Sequence, residues 1–568
     1  MATRSSASSD QQSFMADTQP HPPIDPTNFD LIVIGTGLPE SIIAAAASTA
    51  GKSVLHLDPN SNYGSHYSSL TLNDLISFLN TQSPNPNLNI NQQHLVTESS
   101  DNTIAIDLVT RGIYSGVEIC CYDQSVEKES RKFSLDLAGP RVLFCADLCV
   151  EMLLKSSGNQ YVEFKNVDAS YVCDGNGELM NVPDSKSAVF KDKTLKYSEK
   201  NQLNSFFKLV QGHLEGVKSG ASGGDDGKVI SEEDLERPFG AFLEKMKLPP
   251  KIKSIILYAI AMVDYDQDAG ETCKDVLKTR DGIDRLALYH SSVGRFPNAL
   301  GALIYPIYGQ GELPQAFCRR AAVKGCLYVL RMPVISVLLE KDSGNYKGVK
   351  LVSGQEITSN KLVMDPSFTI TSSYSEALQD VSKVFNVGTV TGKLARGICI
   401  TKSPLKPDTS SCLVIYPPRS LYPDQATSIR VLQLGSNLAV CPSGMFVFYI
   451  SVLCDDAVEG KKSLHAAIDS LFSVGTSGTT DTSSSDQTTE VKPTLLWSAL
   501  YIQDIIEGVM GPVVMTPTPD GNLNYNDLLH ATSKLFRNMY PDDEFFPETS
   551  NTDTSDQLED DSEAGIDS

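Results

Sequence analysis

A glycine turn near the start of the chain carries the residue types best suited to binding a nucleotide. An apolar run ends at Ile34, Gly35 and Gly37 follow, and an acid, Asp58, comes about 20 residues later. In a dinucleotide-binding unit the amides beside such glycines hold a pyrophosphate, and the acid holds a ribose hydroxyl. The third glycine of this pattern is replaced by Glu40. Because a carboxylate there repels a diphosphate, we expect no bound cofactor.

A second candidate for function is the loop at residues 305–315, which reads YPIYGQGELPQ. Two tyrosines, two glycines and two prolines in so short a stretch predict a rigid, tightly turned loop that leads into a helix. The alternative is a buried turn in which Glu312 caps the helix. A generic turn has no need of both tyrosines, so this stretch is more informative than most.

The glycine turn has to be positioned by a strand, a helix and a second strand. Residues 31–34 and 54–57 are typical of strands, and the alanine-rich residues 41–50 between them are typical of a helix. Further strand patterns follow residue 334, whereas residues 195–292 are mostly helical in pattern. The predicted fold class is therefore α/β. We expect an FAD/NAD(P)-binding-like βαβ multi-sheet domain with an inserted, mostly helical second domain.

Changes in composition predict how the chain is divided. We expect a dinucleotide-binding-like domain I in two parts, residues 29–140 with a polar insertion at 80–102 and residues 293–547 with a low-complexity insertion at 474–489. Between these parts we expect a mostly helical domain II at 141–292 with a flexible linker at 219–226. At the two ends we expect a disordered leader at residues 1–28 and a disordered acidic tail at 548–568.

Charge and cysteine usage exclude several functional classes. The net charge of −23 argues against nonspecific binding to nucleic acid or to an anionic membrane. No apolar run approaches the ~20 residues that a bilayer requires, and the N-terminus lacks a secretory signal, so we expect a cytosolic protein with reduced thiols. The 12 cysteines show no metal-ligand spacing, so we expect no metal site.

Three segments together resemble one family. These are GTGLPE after the first strand, HLDPNSNYG at the end of the second strand, and the YPIYGQGELPQ loop. They are similar to the hallmark segments of the Rab escort protein and Rab GDP-dissociation-inhibitor family, and the likeness runs from about residue 29 to residue 547. The segment ILYAIAM, the GQGELPQAFCRRAAVKG form of the loop, the long insertions and the ending PDDEFFP resemble the escort branch rather than the shorter inhibitors.

The resemblance implies a function that is not catalytic. Escort proteins of this family bind GDP-bound, unprenylated Rab GTPases and present them to the Rab geranylgeranyltransferase alpha/beta heterodimer. They then hold the geranylgeranyl lipid of the product until it is delivered to a membrane. The resemblance therefore implies Rab proteins, the transferase and the lipid on the Rab tail as partners, with transient membrane association and no nucleic acid.

The resemblance also implies which residues bind these partners. The predicted Rab-binding residues are Tyr63, Tyr308, Gln310, Glu312, Gln315 and Arg319. Gln315 and Arg319 are four residues apart and therefore lie on one side of a helix. The alternative for this pair is an ordinary solvent-exposed helix face with no binding role. Phe239 and Phe242 are the predicted exposed aromatic contacts for the transferase. Their alternative is packing inside an amphipathic helical layer.

Three other functions remain open. A Rab GDP-dissociation inhibitor that recycles prenylated Rabs would share most of the motifs. A flavin-dependent oxidoreductase would share the βαβ start, and purified protein would then show visible flavin absorbance. A catalytic prenyltransferase subunit would require a zinc site and repeated helical hairpins, and the sequence shows neither pattern.

Overall fold

The computed structural model describes residues 21–82, 98–99, 103–175, 177–183, 196–218, 229–370, 388–474 and 492–547. Several predicted segments lie wholly or partly outside these ranges. They are the leader at 1–28, the insertions at 80–102 and 474–489, the linker at 219–226 and the tail at 548–568.

The strands of the described part are numbered in chain order. They are β1 (Asn28–Ile34), β2 (Val54–Asp58), β3 (Ser69–Leu70), β4 (Glu98–Ser99), β5 (Thr103–Thr110), β6 (Tyr114–Cys121), β7 (Leu135–Asp136), β8 (Leu143–Phe144), β9 (Phe164–Asn166), β10 (Ala169–Cys173), β11 (Leu179–Asn181), β12 (Leu303–Pro306), β13 (Leu327–Leu330), β14 (Val334–Glu340), β15 (Tyr346–Leu351), β16 (Glu356–Met364), β17 (Phe368–Ile370), β18 (Val390–Thr401), β19 (Cys412–Tyr416), β20 (Ile429–Gly435), β21 (Phe446–Cys454), β22 (Ser473–Val474), β23 (Thr494–Ile506) and β24 (Val513–Met515).

The helices are numbered in the same way. They are α1 (Leu38–Thr49), α2 (Leu72–Gln82), α3 (Ser125–Lys128), α4 (Leu148–Ser156), α5 (Tyr197–Lys218), α6 (Glu232–Leu235), α7 (Phe239–Lys245), α8 (Pro250–Ser254), α9 (Thr279–Ser292), α10 (Glu312–Val323), α11 (Ala457–Leu471) and α12 (Asn526–Met539). A π-helical segment, Ile255–Ile260, continues α8.

The first large sheet carries the glycine turn. Strands β13, β2, β1 and β16 run parallel in that order, β24 pairs parallel with β16, and β15, β14, β5 and β17 extend the sheet antiparallel. Parallel strands are covered on both faces, which explains the nearly continuous apolar run of β1. Helix α1 covers one face, and its alanines allow α10 and α12 to pack closely on it.

The second large sheet is mostly antiparallel, in the order β11, β10, β19, β20, β21, β18, β23 and β22, with β6 paired to β23. One face packs with α11. The other face shares a large apolar cluster with the helical layer formed by α5 to α9. Helix α8 begins at Pro250, as expected for a proline in the first turn, where its missing N–H leaves no bond unmade.

Two of the predicted segments contain structure of another kind. Within the predicted leader, Ile24 is buried, and its backbone exchanges hydrogen bonds of 2.9 and 2.7 Å with the side chain of Gln355. Within the predicted helical segment, residues 143–181 contribute four strands. β10 pairs with β19 of the second sheet, and β8 and β9 flank β12. The helices of the layer begin at Tyr197.

Within the described ranges, no helix combines the length and the apolar character needed to cross a membrane.

Candidate functional site

The glycine turn lies at the carboxyl ends of β1 and β2. Gly35 has a φ of +96°, and its N–H donates to the carbonyl oxygen of Leu57 at 2.8 Å. A Cβ added to Gly35 would come within 2.6 Å of the Cβ of Asp365, so this position requires glycine. The turn therefore has the backbone shape of a dinucleotide-binding unit.

The side chain of Glu40 occupies the space in front of this turn. It is 1% exposed, shares a short hydrogen bond with the hydroxyl of Thr516, and lies so close over Gly37 that a Cβ added there would overlap it. Burial, and then the charge of Asp365, raise the pKa of Glu40 to about 8. The position that the third glycine would leave open for a phosphate is filled. The residues present do not fit a dinucleotide.

The carboxylate of Asp58 is also occupied, by hydrogen bonds to other residues of the protein. Its carboxylate accepts the N–H and the hydroxyl of Thr36 at 2.9 and 2.6 Å and the N–H of Asn60 at 2.8 Å. The residue is fully buried, and this burial raises the pKa of its carboxyl. In a dinucleotide-binding enzyme, an acid at this position would bind a ribose hydroxyl. Here Asp58 instead forms hydrogen bonds with the backbone of the loop that leads to Tyr63.

Tyr63 lies half-buried in the loop that follows β2. Its ring meets the ring of Tyr328 edge to face, with the centroids 6.0 Å apart. Burial raises the pKa of the Tyr63 hydroxyl, and the positive charge of Arg319 partly offsets this effect. Tyr63 therefore lies beside helix α10, as the motif predicted for a shared surface.

Helix α10 presents three predicted residues at the surface. Glu312 and Gln315 are half-buried and Arg319 is exposed. The side-chain amide of Gln315 donates to the carbonyl oxygen of Gly311 at 3.2 Å and to Glu312 at 3.4 Å. Burial raises the pKa of Glu312, with Arg319 opposing it. Glu312 is the first residue of the helix, and the N-cap residue before it, Gly311, has no side chain to cap the helix.

Tyr161 extends this surface, although no motif in the sequence indicated it. The guanidinium of Arg319 lies 5.9 Å from the centroid of the Tyr161 ring. A cation over an aromatic face is attracted by the ring quadrupole, which restrains the arginine. We call Tyr63, Tyr161, Glu312, Gln315 and Arg319 the α10 face. Spacing along the chain could not have found Tyr161, because the fold alone brings it to Arg319.

The loop before α10 is built on Asp136, which the sequence analysis also missed. Asp136 accepts hydrogen bonds from Ser69 at 2.6 Å, from the N–H of Gln310 at 2.9 Å and from the hydroxyl of Tyr305. Burial raises the pKa of Asp136 to about 6, although these hydrogen bonds oppose the shift. Tyr305 therefore has a structural role.

Gln310 does not lie on the surface, contrary to the prediction. It is 2% exposed, donates to the carbonyl oxygen of Arg141 at 2.9 Å and accepts from the hydroxyl of Tyr525 at 2.7 Å. Tyr308, by contrast, is 59% exposed and has a φ of +74°. Its backbone bonds to Leu438 and Ser134, on the side of the loop that faces the second sheet.

Phe239 and Phe242 are not the exposed aromatic residues that the sequence predicted. They are 0% and 2% exposed and belong to the apolar cluster of the helical layer. The ring of Phe239 packs on Gly282 of α9, where an added Cβ would come within 2.6 Å of it. The exposure predicted for both rings is therefore wrong. Helix α9 covers Phe239, because Gly282 has no side chain to keep the two helices apart.

Comparison with known proteins places the chain in a family. The model of the family described as GDP dissociation inhibitor matches residues 25–111 and 113–480. Rab escort protein 1 of Arabidopsis thaliana is 54% identical over 546 residues, covering 94% of this chain and 96% of that protein. Rab proteins geranylgeranyltransferase component A of Drosophila melanogaster is 30% identical over 538 residues, covering 92% of this chain and 90% of that protein.

A solved structure supports the fold. The crystal structure of the Rab GDI from Plasmodium falciparum superposes with a TM-score of 0.64 at 19% identity, covering 90% of this chain and 98% of that one. This likeness confirms the predicted fold class, an α/β chain with an FAD/NAD(P)-binding-like multi-sheet domain. The chain belongs to the GDP dissociation inhibitor family and, within it, to the Rab escort proteins.

Proposed function

We propose that this chain is a Rab escort protein that serves as the non-catalytic, substrate-binding component of Rab geranylgeranyltransferase. It binds unprenylated, GDP-bound Rab GTPases and presents them to the transferase. The observation that carries the proposal is the α10 face, which lies on a fold whose nucleotide turn is filled by Glu40. The names of the relatives, an escort protein and a geranylgeranyltransferase component, support the same assignment.

The α10 face has the chemistry of a protein-binding surface. Tyrosine and arginine are enriched among the residues that dominate interface energies. Glu312 and Arg319 offer both signs of charge beside the two tyrosine rings. The net charge of −23 would accelerate the approach of basic Rab segments.

The proposal extends to the lipid and to the location of the protein. A geranylgeranyl chain of 20 carbons gains about 0.8 kcal/mol for each buried CH₂-sized unit, so an apolar shelter for it is strongly favoured. The helical layer, whose apolar cluster includes the π-helical segment Ile255–Ile260, supports placing the lipid there. The protein would work in the cytosol with transient delivery to membranes, and the transferase would bind as its alpha/beta heterodimer.

A Rab GDP-dissociation inhibitor is the second candidate, since the matching family model carries that description. The two functions differ in substrate. An inhibitor acts on Rabs that already carry a lipid, whereas an escort protein binds the unprenylated Rab together with the transferase.

Binding to an unprenylated Rab loaded with GDP tests the proposal. We expect Tyr63→Ala and Arg319→Ala each to weaken binding about tenfold or more, which corresponds to about 1.4 kcal/mol, because each removes an anchor of the α10 face. The measurement is fluorescence titration of labelled Rab·GDP. Tyr122→Ala and Arg537→Ala, which truncate exposed residues on other elements, are the matched controls and should bind like the unaltered chain.

An unaltered chain that fails to bind unprenylated Rab·GDP would exclude the escort function. Binding that is unaffected by both substitutions on the α10 face would move the interface elsewhere.

A further inference from the structure

We propose that Thr36 and Asp58 are positioning residues for Tyr63, through a hydrogen-bond relay that replaces the nucleotide contacts of this fold. The proposal rests on the proposed function, because Tyr63 is taken as a contact for Rab. The relay runs from the carboxylate of Asp58 through the hydroxyl of Thr36 to the N–H of Gly64, the residue after Tyr63.

The direction of the relay follows from the donors that are present. The hydroxyl of Thr36 has one proton, and it lies 2.6 Å from Asp58 Oδ2. Since a carboxylate only accepts, Thr36 donates to it, and the hydroxyl oxygen is left to accept from Gly64 N–H at 3.0 Å. Gly64 N–H also lies 3.1 Å from the carbonyl oxygen of Thr36. Both Thr36 and Asp58 are fully buried, so water does not compete for these bonds.

The loop needs such a support because its backbone is unusual. Gly64 has a φ of +110°, and a Cβ there would come within 2.7 Å of the Cα of Ser68. The second oxygen of Asp58 holds the N–H of Asn60 at 2.8 Å, on the other side of Tyr63. One carboxylate therefore fixes the chain both before and after Tyr63.

The same loop is held at its far end. His66 contacts Asp365 at 3.1 Å through Nε2 and the hydroxyl of Tyr114 at 3.0 Å through Nδ1. The Tyr63 side chain has a ring contact with Tyr328, and within the part of the chain that the structure describes it makes no hydrogen bond. Its position therefore depends on the backbone of the loop, which the relay and His66 restrain.

A double-mutant cycle tests the relay. Thr36→Val removes the hydroxyl at nearly constant shape, and Thr36→Ser retains it. We expect Thr36→Val to weaken binding of unprenylated Rab·GDP about threefold to tenfold, since the free loop must then be ordered on binding. Thr36→Ser should bind like the unaltered chain. In a Tyr63→Ala background, Thr36→Val should cause no further loss, because the residue that it positions is absent.

A second readout does not involve Rab. Hydrogen exchange at the Gly64 amide should be faster in Thr36→Val than in the unaltered chain and in Thr36→Ser. If Thr36→Val does not fold, Ser65→Ala takes its place. It removes a hydroxyl that lies 3.1 Å from the Thr36 nitrogen and 3.4 Å from Asp58. We expect the same changes in Rab·GDP binding and in Gly64 exchange, but smaller ones.

Two results would overturn the relay. One is an equal loss of affinity from Thr36→Val with and without Tyr63, and the other is unchanged Gly64 exchange in a folded variant. If the unaltered chain binds no Rab·GDP, the proposed function fails, whereas the exchange measurement still decides whether the relay holds the loop.

Discussion

Glu40 shows how one side chain changes the use of a nucleotide-binding turn. Its carboxyl is buried over Gly37, hydrogen-bonded to Thr516 through one oxygen, while the other oxygen has no hydrogen-bond partner in the described ranges. A buried carboxylate with an unmet oxygen and an acidic neighbour is costly, so the neutral form is favoured. The neutral carboxyl of Glu40 therefore fills the space that a diphosphate would require.

The raised pKa of Glu40 predicts a dependence of stability on pH. The pKa is about 8 in the folded chain against an ordinary value of 4.5, so folding takes up a proton between these values. The stabilisation is complete below about pH 4.5 and is lost as pH rises through about 8, at up to about 1.4 kcal/mol per pH unit. Glu40→Gln keeps the neutral shape and removes this contribution, so its stability should fall less steeply between pH 5 and pH 8 than that of the unaltered chain. Urea unfolding at pH 5, 6, 7 and 8 measures it.

The matched control for this prediction is Glu127→Gln, at an exposed glutamate, which should follow the unaltered chain at every pH. Parallel profiles for Glu40→Gln and the unaltered chain would mean that Glu40 is ionised in the folded protein.

At the scale of residues, the motifs indicated four members of the α10 face but neither Tyr161 nor the burial of Gln310. Gln315 and Arg319 could be assigned to one side because a helix repeats every 3.6 residues. Gln310 could not be placed in this way. Positive φ angles at Tyr308 and Gly309 redirect the chain just before it, and the resulting turn points Gln310 inward. The predicted roles of the α10 residues in binding remain predictions.

At the scale of elements, the helical layer depends on close contacts that its sequence pattern does not reveal. Helix α7 has apolar residues on its covered side, and α9 approaches it at Gly282, against the ring of Phe239. An amphipathic pattern shows that a face will be covered but does not identify the covering element. For this reason the rings of Phe239 and Phe242 could be predicted as exposed contacts when they are core residues.

The close approach of α7 and α9 predicts that alanine substitutions at two glycines of the layer affect stability differently. Gly282→Ala should destabilise the protein by about 1 to 3 kcal/mol, because the new methyl group would lie 2.6 Å from the Phe239 ring. Gly240→Ala in α7 is the matched control. Its nearest neighbour would be 3.6 Å away, and alanine favours a helix over glycine by up to about 1 kcal/mol, so this variant should be neutral or slightly more stable.

Urea unfolding followed by circular dichroism compares the two variants. Equal midpoints for Gly282→Ala and the unaltered chain would mean that α7 and α9 can separate without cost.

Strand pairing could be predicted where it is local and not where it is long-range. The βαβ unit at the start of the chain was predicted because each of its elements follows the last within a few residues. Residues 161–182 have a strand pattern and do form strands, but their partners could not be predicted. Strands β8 and β9 pair with β12, and β10 pairs with β19, more than 100 residues away, and no local pattern specifies such partners.

At the scale of the whole molecule, buried charge joins the helical layer to the second sheet. Arg430, which is 2% exposed, donates to the carbonyl oxygens of Met262 and Gly521, both at 2.7 Å, and pairs with Asp264 at 2.9 Å. The N–H of Ser428 donates to the carbonyl oxygen of Asp264 at 2.7 Å. These bonds lie at the end of the π-helical segment Ile255–Ile260 and fix the layer against β20.

The overall arrangement separates the proposed tasks. The α10 face and the Tyr63 loop lie on the first sheet, whereas the layer proposed to shelter the lipid packs on the second sheet. A Rab could then be held through its folded domain while its tail reaches toward the layer and the transferase. This separation is what a protein that presents one substrate to another enzyme requires.

Reconstituted prenylation tests the central claim most directly. Purified chain, an unprenylated Rab loaded with GDP, Rab geranylgeranyltransferase and a labelled geranylgeranyl donor are mixed, and incorporation of the label into the Rab is measured. The account predicts transfer when the chain is present, a loss of most transfer when it is omitted, and a reduced rate at limiting concentrations of Arg319→Ala. Equal transfer with and without the chain would contradict the proposed role.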